Sequence, residues 1–179
     1  MKNLIKFVIT LALILLFVQC NEDNLITNTE TANIEKSTLE KGVIASASGH
    51  GDVHYEVGGT SIYQRFSFNA KNKDGEIHGI LNYYDDEVNL KFKGEVTCLN
   101  IDGNIAIMAG KILKYTWDLE YVPGTEELYF WLKVVDNGEG SNCAPDQTSL
   151  VWAPIPKYPC DNWPVPLYDI ENGNIQVKP

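Results

Sequence analysis

The sequence predicts an all-β domain, an antiparallel barrel or sandwich of about eight strands with a Pro-rich C-terminal extension. Three observations predict it. Apolar residues alternate with a period of two through the middle of the chain, turn dipeptides recur between the alternating runs, and the links are too short for helical crossovers. Size and composition agree: 179 residues, 44% of them hydrophobic and 21% charged, suffice for one core-bearing domain and leave little room for two. With 14 Lys+Arg against 24 Asp+Glu the formal charge is −10. A chain so acidic lacks the basic footprint that counterion release from nucleic acid requires, so no nucleic-acid partner is expected.

Taken in order, residues 53–57 alternate ahead of Gly58-Gly59, and residues 62–70 set Ile62, Phe66 and Phe68 on one parity with Gln64 between them. Asp74-Gly75 is the dipeptide of a two-residue hairpin turn, because it accepts positive φ. Its partner strand, residues 76–84, places Ile77, Leu81 and Tyr83 on one face before Asp85-Asp86-Glu87 turns the chain. Residues 88–101 form the longest run; Leu90, Phe92, Val96 and Cys98 share a parity that then passes to Leu99 and Ile101. A one-residue change of parity inside an extended run predicts a bulge, near Gly94 or Asn100. Asp102-Gly103 turns into residues 104–113, followed by Tyr115, Trp117, Leu119 and Tyr121, the Pro123-Gly124 turn, and Leu128, Phe130, Leu132 and Val134. Residues 137–179 hold seven of the eight prolines. Proline gives up a ladder donor and fixes φ, so this tail is expected to wrap the domain as irregular chain. At most residues 148–153 would pair, as an edge strand, with Trp152 and Trp163 pinning the tail down.

The N-terminus supplies an address. Lys2 and Lys6 precede an apolar run over residues 7–18, shorter than the about 20 residues a spanning helix needs, and Cys20 stands where the run stops. The stretch resembles the lipobox of Bacteroidetes-type lipoproteins, with Leu16 at −4, although Gln19 at −1 is larger than usual. The resemblance implies a signal peptide over residues 1–19 and lipidation of Cys20; the polar stretch that follows keeps no period and reads as a tether over residues 20–41, ahead of a single β-domain over residues 42–179. The alternative is an ordinary secretory peptide with Cys20 incidental. At about 0.8 kcal/mol per buried methylene, two or more acyl chains hold firmly, so the membrane is a partner through the lipid anchor. Cleavage removes two lysines and no acid, leaving 12 − 24 = −12. Glu22-Asp23 resembles an acidic surface-export tag. An outer-membrane lipoprotein, periplasmic or surface-exposed, is the expected location.

Beyond Cys20 lie Cys98, Cys143 and Cys160. In an oxidising compartment a disulfide is expected. Cys143 with Cys160 is the pairing favoured, because both lie in the irregular tail; closing 17 residues there would contribute about 3 kcal/mol. Cys98, on the core parity, looks like a small buried hydrophobe, and its pairing with one of the others is the alternative.

Residues 94–106 (GEVTCLNIDGNIA), with Val135-Asp136-Asn137-Gly138-Glu139-Gly140 and Pro145-Asp146, resemble a group of uncharacterised secreted bacterial β-proteins. Ser48-Gly49-His50-Gly51 and the residue 66–75 hairpin belong to the same pattern, which covers residues 42–150. The group has no established activity, so the resemblance implies an exported β-domain and nothing catalytic.

Several residues could carry chemistry. Asp136, Asn137, Glu139 and Asp146 concentrate hard oxygen ligands on a Gly-rich loop and could form a weak calcium site, although Asp-Asn-Gly is equally the composition of a plain turn. No other cofactor is expected. His50 and His54 share a strand face but stand about 13 Å apart at about 3.3 Å per residue, too far to share a metal unless a bulge folds them together. Aromatic residues sit on both parities near Trp117, Tyr129 and Trp131, which means either burial on both sides or an exposed stripe able to bind a small molecule or glycan. No nucleophile motif is present, and an enzyme is unsupported. The expectation is a lipid-tethered, non-catalytic binding or structural module. The alternative is a small-molecule enzyme in a barrel mouth, pairing His54 or His78 with a carboxylate.

Overall fold

A computed structural model describes residues 43–57, 59–117, 127–140, 143–157 and 159–179. The signal peptide, Cys20, the tether and Tyr121 lie outside the described residues. One compact unit comprises residues 39–138 and 144–179; of the other, the described residues are Glu139, Gly140 and Cys143. Within the latter the Cys143 amide donates to the Gly140 carbonyl at 3.2 Å.

The larger unit is all-β and antiparallel, and no helix occurs among the described residues. Six long strands run β1 (Val43–Val57), β2 (Thr60–Lys73), β3 (Glu76–Asp85), β4 (Leu90–Asp102), β5 (Ile105–Thr116) and β6 (Tyr129–Val135). Four short ones follow in the tail: β7 (Gln147–Thr148), β8 (Trp152–Ile155), β9 (Tyr168–Asp169) and β10 (Asn174–Lys178). They form one sheet in the order β10-β1-β2-β3-β4-β5-β6-β7-β9, with β8 also on β6. β9 and β10, at its two ends, do not pair with each other, so the ladder is not closed. The ends are nonetheless drawn together. The Glu171 amide donates to the Asp52 carbonyl of β1 at 3.0 Å, and the Ile170 amide to the Asp146 carbonyl at 2.9 Å.

Local chemistry explains the hairpins. Lys73 pairs with Glu76 across Asp74 and Gly75, both at positive φ (54° and 87°), which is the type I′ geometry that matches strand twist. The expected bulge in β4 is present, with its compensating partner in β5. Register shifts between Lys93 and Gly94, where Leu113 is the extra residue, and again between Val96 and Cys98, where Thr97 is extra. Leu113 is accordingly thrown out to 53% exposure.

The inward parity of β1 to β6 builds one core that includes Val53, Phe66, Phe68, Leu81, Phe92, Val96, Met108, Phe130 and Leu132, joined by Val151, Ile170 and Ile175 from the tail. Phe130 needs glycine opposite it: a Cβ on Gly94 would lie 2.4 Å from its ring, and one on Gly110 would lie 2.8 Å away. β5 and β6 are buried on both faces. Their outer residues Ile107, Ala109 and Trp131 form a second cluster beneath Cys160, Trp163 and Val165 of the tail.

Three expectations about the tail need correction. The disulfide joins Cys98 to Cys160, with Cα atoms 6.0 Å apart, and not Cys143 to Cys160. The extra residue Thr97 turns Cys98 off the core parity onto the outer face, where the tail passes; none of the three described cysteines is free. Trp163 does pin the tail, stacking on Trp131 at 4.9 Å, but Trp152 is 49% exposed and does not. Finally, the tail supplies more than one edge strand. β10 pairs with β1 through Gly49 and Ile175, and its two apolar residues are too short a run to reveal a strand by period alone.

Candidate functional site

The interior is occupied by the core, and a broad recess lies outside it. A groove of about 780 Å³ crosses the outward face of β1 to β4, walled at one side by Asn172 and Gly173. Register builds its floor. One rung of the ladder runs Asp52, Arg65, Tyr84, Lys91 and Thr116, and the next runs His50, Ser67, Asn82, Lys93 and Lys114; Thr116, Lys93 and Lys114 continue the rungs beyond the lining. All ten are exposed or half-buried, as the outward parity of an amphipathic sheet requires.

The groove's electrostatics are uneven. Arg65 Nε donates to Asp52 Oδ1 at 2.9 Å, and the guanidinium also donates to the Tyr63 hydroxyl. Burial pushes the Asp52 carboxyl up, but hydrogen bonds from Arg65, Tyr63 and Asn172 outweigh it and hold it below the usual carboxylate range. Arg65 is therefore neutralised. Lys91 instead lies over the Tyr84 ring, its Nζ 4.9 Å from the centroid. Among the described residues, neither Lys91, Lys93 nor Lys114 has a carboxylate within ion-pair distance. The next acid on this face of β4 is Glu95, one rung further along.

Beside the groove His54 Nδ1 lies 2.6 Å from Glu171 Oε2, and the His54 ring meets that of Tyr63 at 4.6 Å. This is a His–carboxylate pair, half-exposed and outside the groove lining. His78 approaches Glu76 at 3.5 Å, with both side chains mostly exposed. β1 is regular through Gly51 and Asp52, so His50 and His54 stay apart along the strand.

The predicted aromatic stripe does not form. Trp131 is fully buried beneath Trp163, while Trp117 packs on the main core with its indole Nε1 buried and unpartnered. The bulge at Leu113 sets β5 so that Trp117 faces inward, opposite to Trp131. Tyr129 alone reaches a recess, a cavity of about 280 Å³ under the tail beside Cys98 and Lys157. Its hydroxyl donates to Glu127 Oε2 at 2.6 Å, and Glu127 also pairs with Lys111. The hydrogen bond from Lys111 comes first in lowering the Glu127 carboxyl below its usual range, and that same bond raises Lys111.

The proposed calcium loop is likewise spent on structure. Asp146, 9% exposed, accepts the Asn137 amide on Oδ1 at 2.9 Å and the Ile175 amide on Oδ2 at 2.7 Å. Asp136 accepts the Gly138 amide on Oδ1 at 2.9 Å and the Val177 amide on Oδ2 at 2.8 Å. Asn137 donates from its side chain to the Pro145 carbonyl at 2.6 Å. Each carboxylate oxygen already has a backbone donor, so the two acids clasp β10 to the end of β6. Glu139 belongs to the other unit, and among the described residues no group of three or more His, Cys, Asp or Glu side chains could hold a metal ion.

Sequence reasoning missed a polar node inside the sheet. Asp85, 8% exposed, accepts from Gln64 Nε2 at 2.9 Å, from the Tyr83 hydroxyl at 3.1 Å and from the Glu87 amide at 3.1 Å; Gln64 also donates to the Tyr55 hydroxyl at 3.1 Å. Burial, and then the Asp85 charge, push Tyr55 up to about 12 and raise Tyr83 further. Gln64 among Ile62, Phe66 and Phe68 is the signal that could have revealed it, because a buried amide demands partners. Comparison with family models, with curated proteins and with solved structures finds no match for this chain.

Proposed function

We propose that the protein is an envelope lipoprotein, tethered through Cys20, whose β-domain is a non-catalytic binding module with its ligand site in the β1–β4 groove. The observation that carries this reading is the groove itself: about 780 Å³ of open recess lined by His50, Asp52, Arg65, Asn82, Tyr84 and Lys91 among others, while the inward parity is filled by core residues. Recesses of this size with a few convergent polar groups are the ordinary form of a ligand site. The lipobox-like start and the resemblance to exported bacterial β-proteins support the envelope location. A second reading, an enzyme, is favoured by the His54–Glu171 contact alone.

The test is a ligand screen on the full chain in detergent micelles, set beside the variant Asn82→Trp. Asn82 is exposed in mid-groove, so the indole fills the recess without entering the core. Ligands found by saturation-transfer NMR are expected to lose the signal in the variant. Ligands that bind both proteins equally would move the site elsewhere, and turnover abolished by Glu171→Gln would favour the enzyme.

A further inference from the structure

Resting on that reading, we infer that the groove takes an acidic oligosaccharide, a sugar chain bearing carboxylates or sulfates. Charge is the first ground. The chain as a whole carries −10, yet the groove is lined by Arg65 and Lys91 against Asp52 alone, and Lys93 and Lys114 extend one of its rungs beyond the lining. Asp52 is occupied by Arg65, which leaves three lysines without a carboxylate partner on one face of an acidic molecule. An anionic ligand would find its counter-charges there and be repelled by the rest of the surface, which is how charge arrangement selects a partner.

Shape and hydrogen bonding narrow the class. Four strands at about 4.8 Å spacing make a floor about 14 Å long from β1 to β4, walled at the β1 end by Asn172 and Gly173, and an extended chain can lie along it. Tyr84 sits half-buried in the floor, a flat apolar surface of the kind that sugar rings stack on, and Lys91 already covers part of its ring. Ser67, Asn82 and Asn172 supply neutral donors and acceptors for hydroxyl groups. An anionic bilayer is the competing occupant, since the protein is proposed to sit beside one. The wall at Asn172 and Gly173 recesses the floor on that side, so a flat lipid surface would meet the rim before Tyr84.

The experiment uses the full chain in nanodiscs of phosphatidylcholine, with four probes: oligogalacturonate, the same oligomer with its carboxyls reduced, a sulfated oligosaccharide, and vesicles containing phosphatidylserine. Binding of oligogalacturonate, of the sulfated probe or of both is expected, and which one binds identifies the anion. The Lys91→Ala/Lys93→Ala double variant should weaken binding about tenfold, with the difference shrinking at high salt, and Tyr84→Ala should weaken it comparably. Each substitution is at an exposed or half-exposed position, and unchanged melting temperatures would confirm folded variants. Equal binding of the carboxyl-reduced oligomer, still lost on Tyr84→Ala, would overturn the acidic ligand while keeping the groove as a binding site. Binding to the anionic vesicles alone would overturn it in favour of lipid. Failure of every probe would overturn it outright, whereas the screen with Asn82→Trp judges the groove itself.

Discussion

Asp146 shows how a loop that reads as a metal site becomes a structural clasp. Its side chain is 9% exposed and takes one backbone amide on each oxygen, from Asn137 and from Ile175. Hydrogen bonds to a buried charge contribute about 1.5–3 kcal/mol each, and an unpaired buried amide is costly in its own right. Asp146→Asn keeps one acceptor and presents a donor to the other amide. A loss of about 2–3 kcal/mol is expected, read as a fall in Tm of roughly 5–10 °C together with faster hydrogen exchange in β10. Millimolar calcium should leave the melting of wild type and variant unchanged. A calcium-dependent rise confined to the wild type would restore the loop as a metal site.

At the scale of elements, the tail behaves as a strap over β5 and β6. It is held at Cys160 by the disulfide to Cys98 and at Trp163 by stacking on Trp131. Lys133, 9% exposed, adds a hydrogen bond from Nζ to Asn162 Oδ1 at 2.7 Å. Closing a loop across a sequence separation of 62 residues contributes about 4 kcal/mol by restricting the unfolded chain. Cys98→Ser/Cys160→Ser is therefore expected to lower unfolding free energy by about that amount. Its tryptophan fluorescence should shift to the red as Trp131 gains water, while far-UV circular dichroism stays that of a sheet. An unchanged emission maximum and stability would show that packing alone holds the strap.

Over the whole molecule, the proposal is an acidic β-domain with a cation-bearing groove, held at a membrane through Cys20. The proposed anchor depends on acyl chains at Cys20 and on nothing in the sheet. Cys20→Ala is expected to leave the fold intact and to move the protein from the membrane pellet to the soluble envelope fraction. Mass spectrometry of the wild type should show Cys20 carrying its lipids. An unmodified N-terminus downstream of Cys20 would end the lipoprotein reading.

The amino-acid sequence by itself determined the strand pattern, the Asp74-Gly75 turn and the presence of a bulge within residues 88–101, because each follows from contacts between residues close along the chain: side-chain alternation, positive φ, a one-residue change of parity. Only the tertiary structure decided which faces meet. Cys98 found Cys160 because one extra residue, Thr97, turned it outward beneath a tail 62 positions away, and Trp131 lost its exposure to the same tail. The groove was equally invisible in one dimension. Asp52, Arg65, Tyr84 and Lys91 share a rung only once four strands have taken their register, and that register is set by the hydrophobic face on the other side of the sheet.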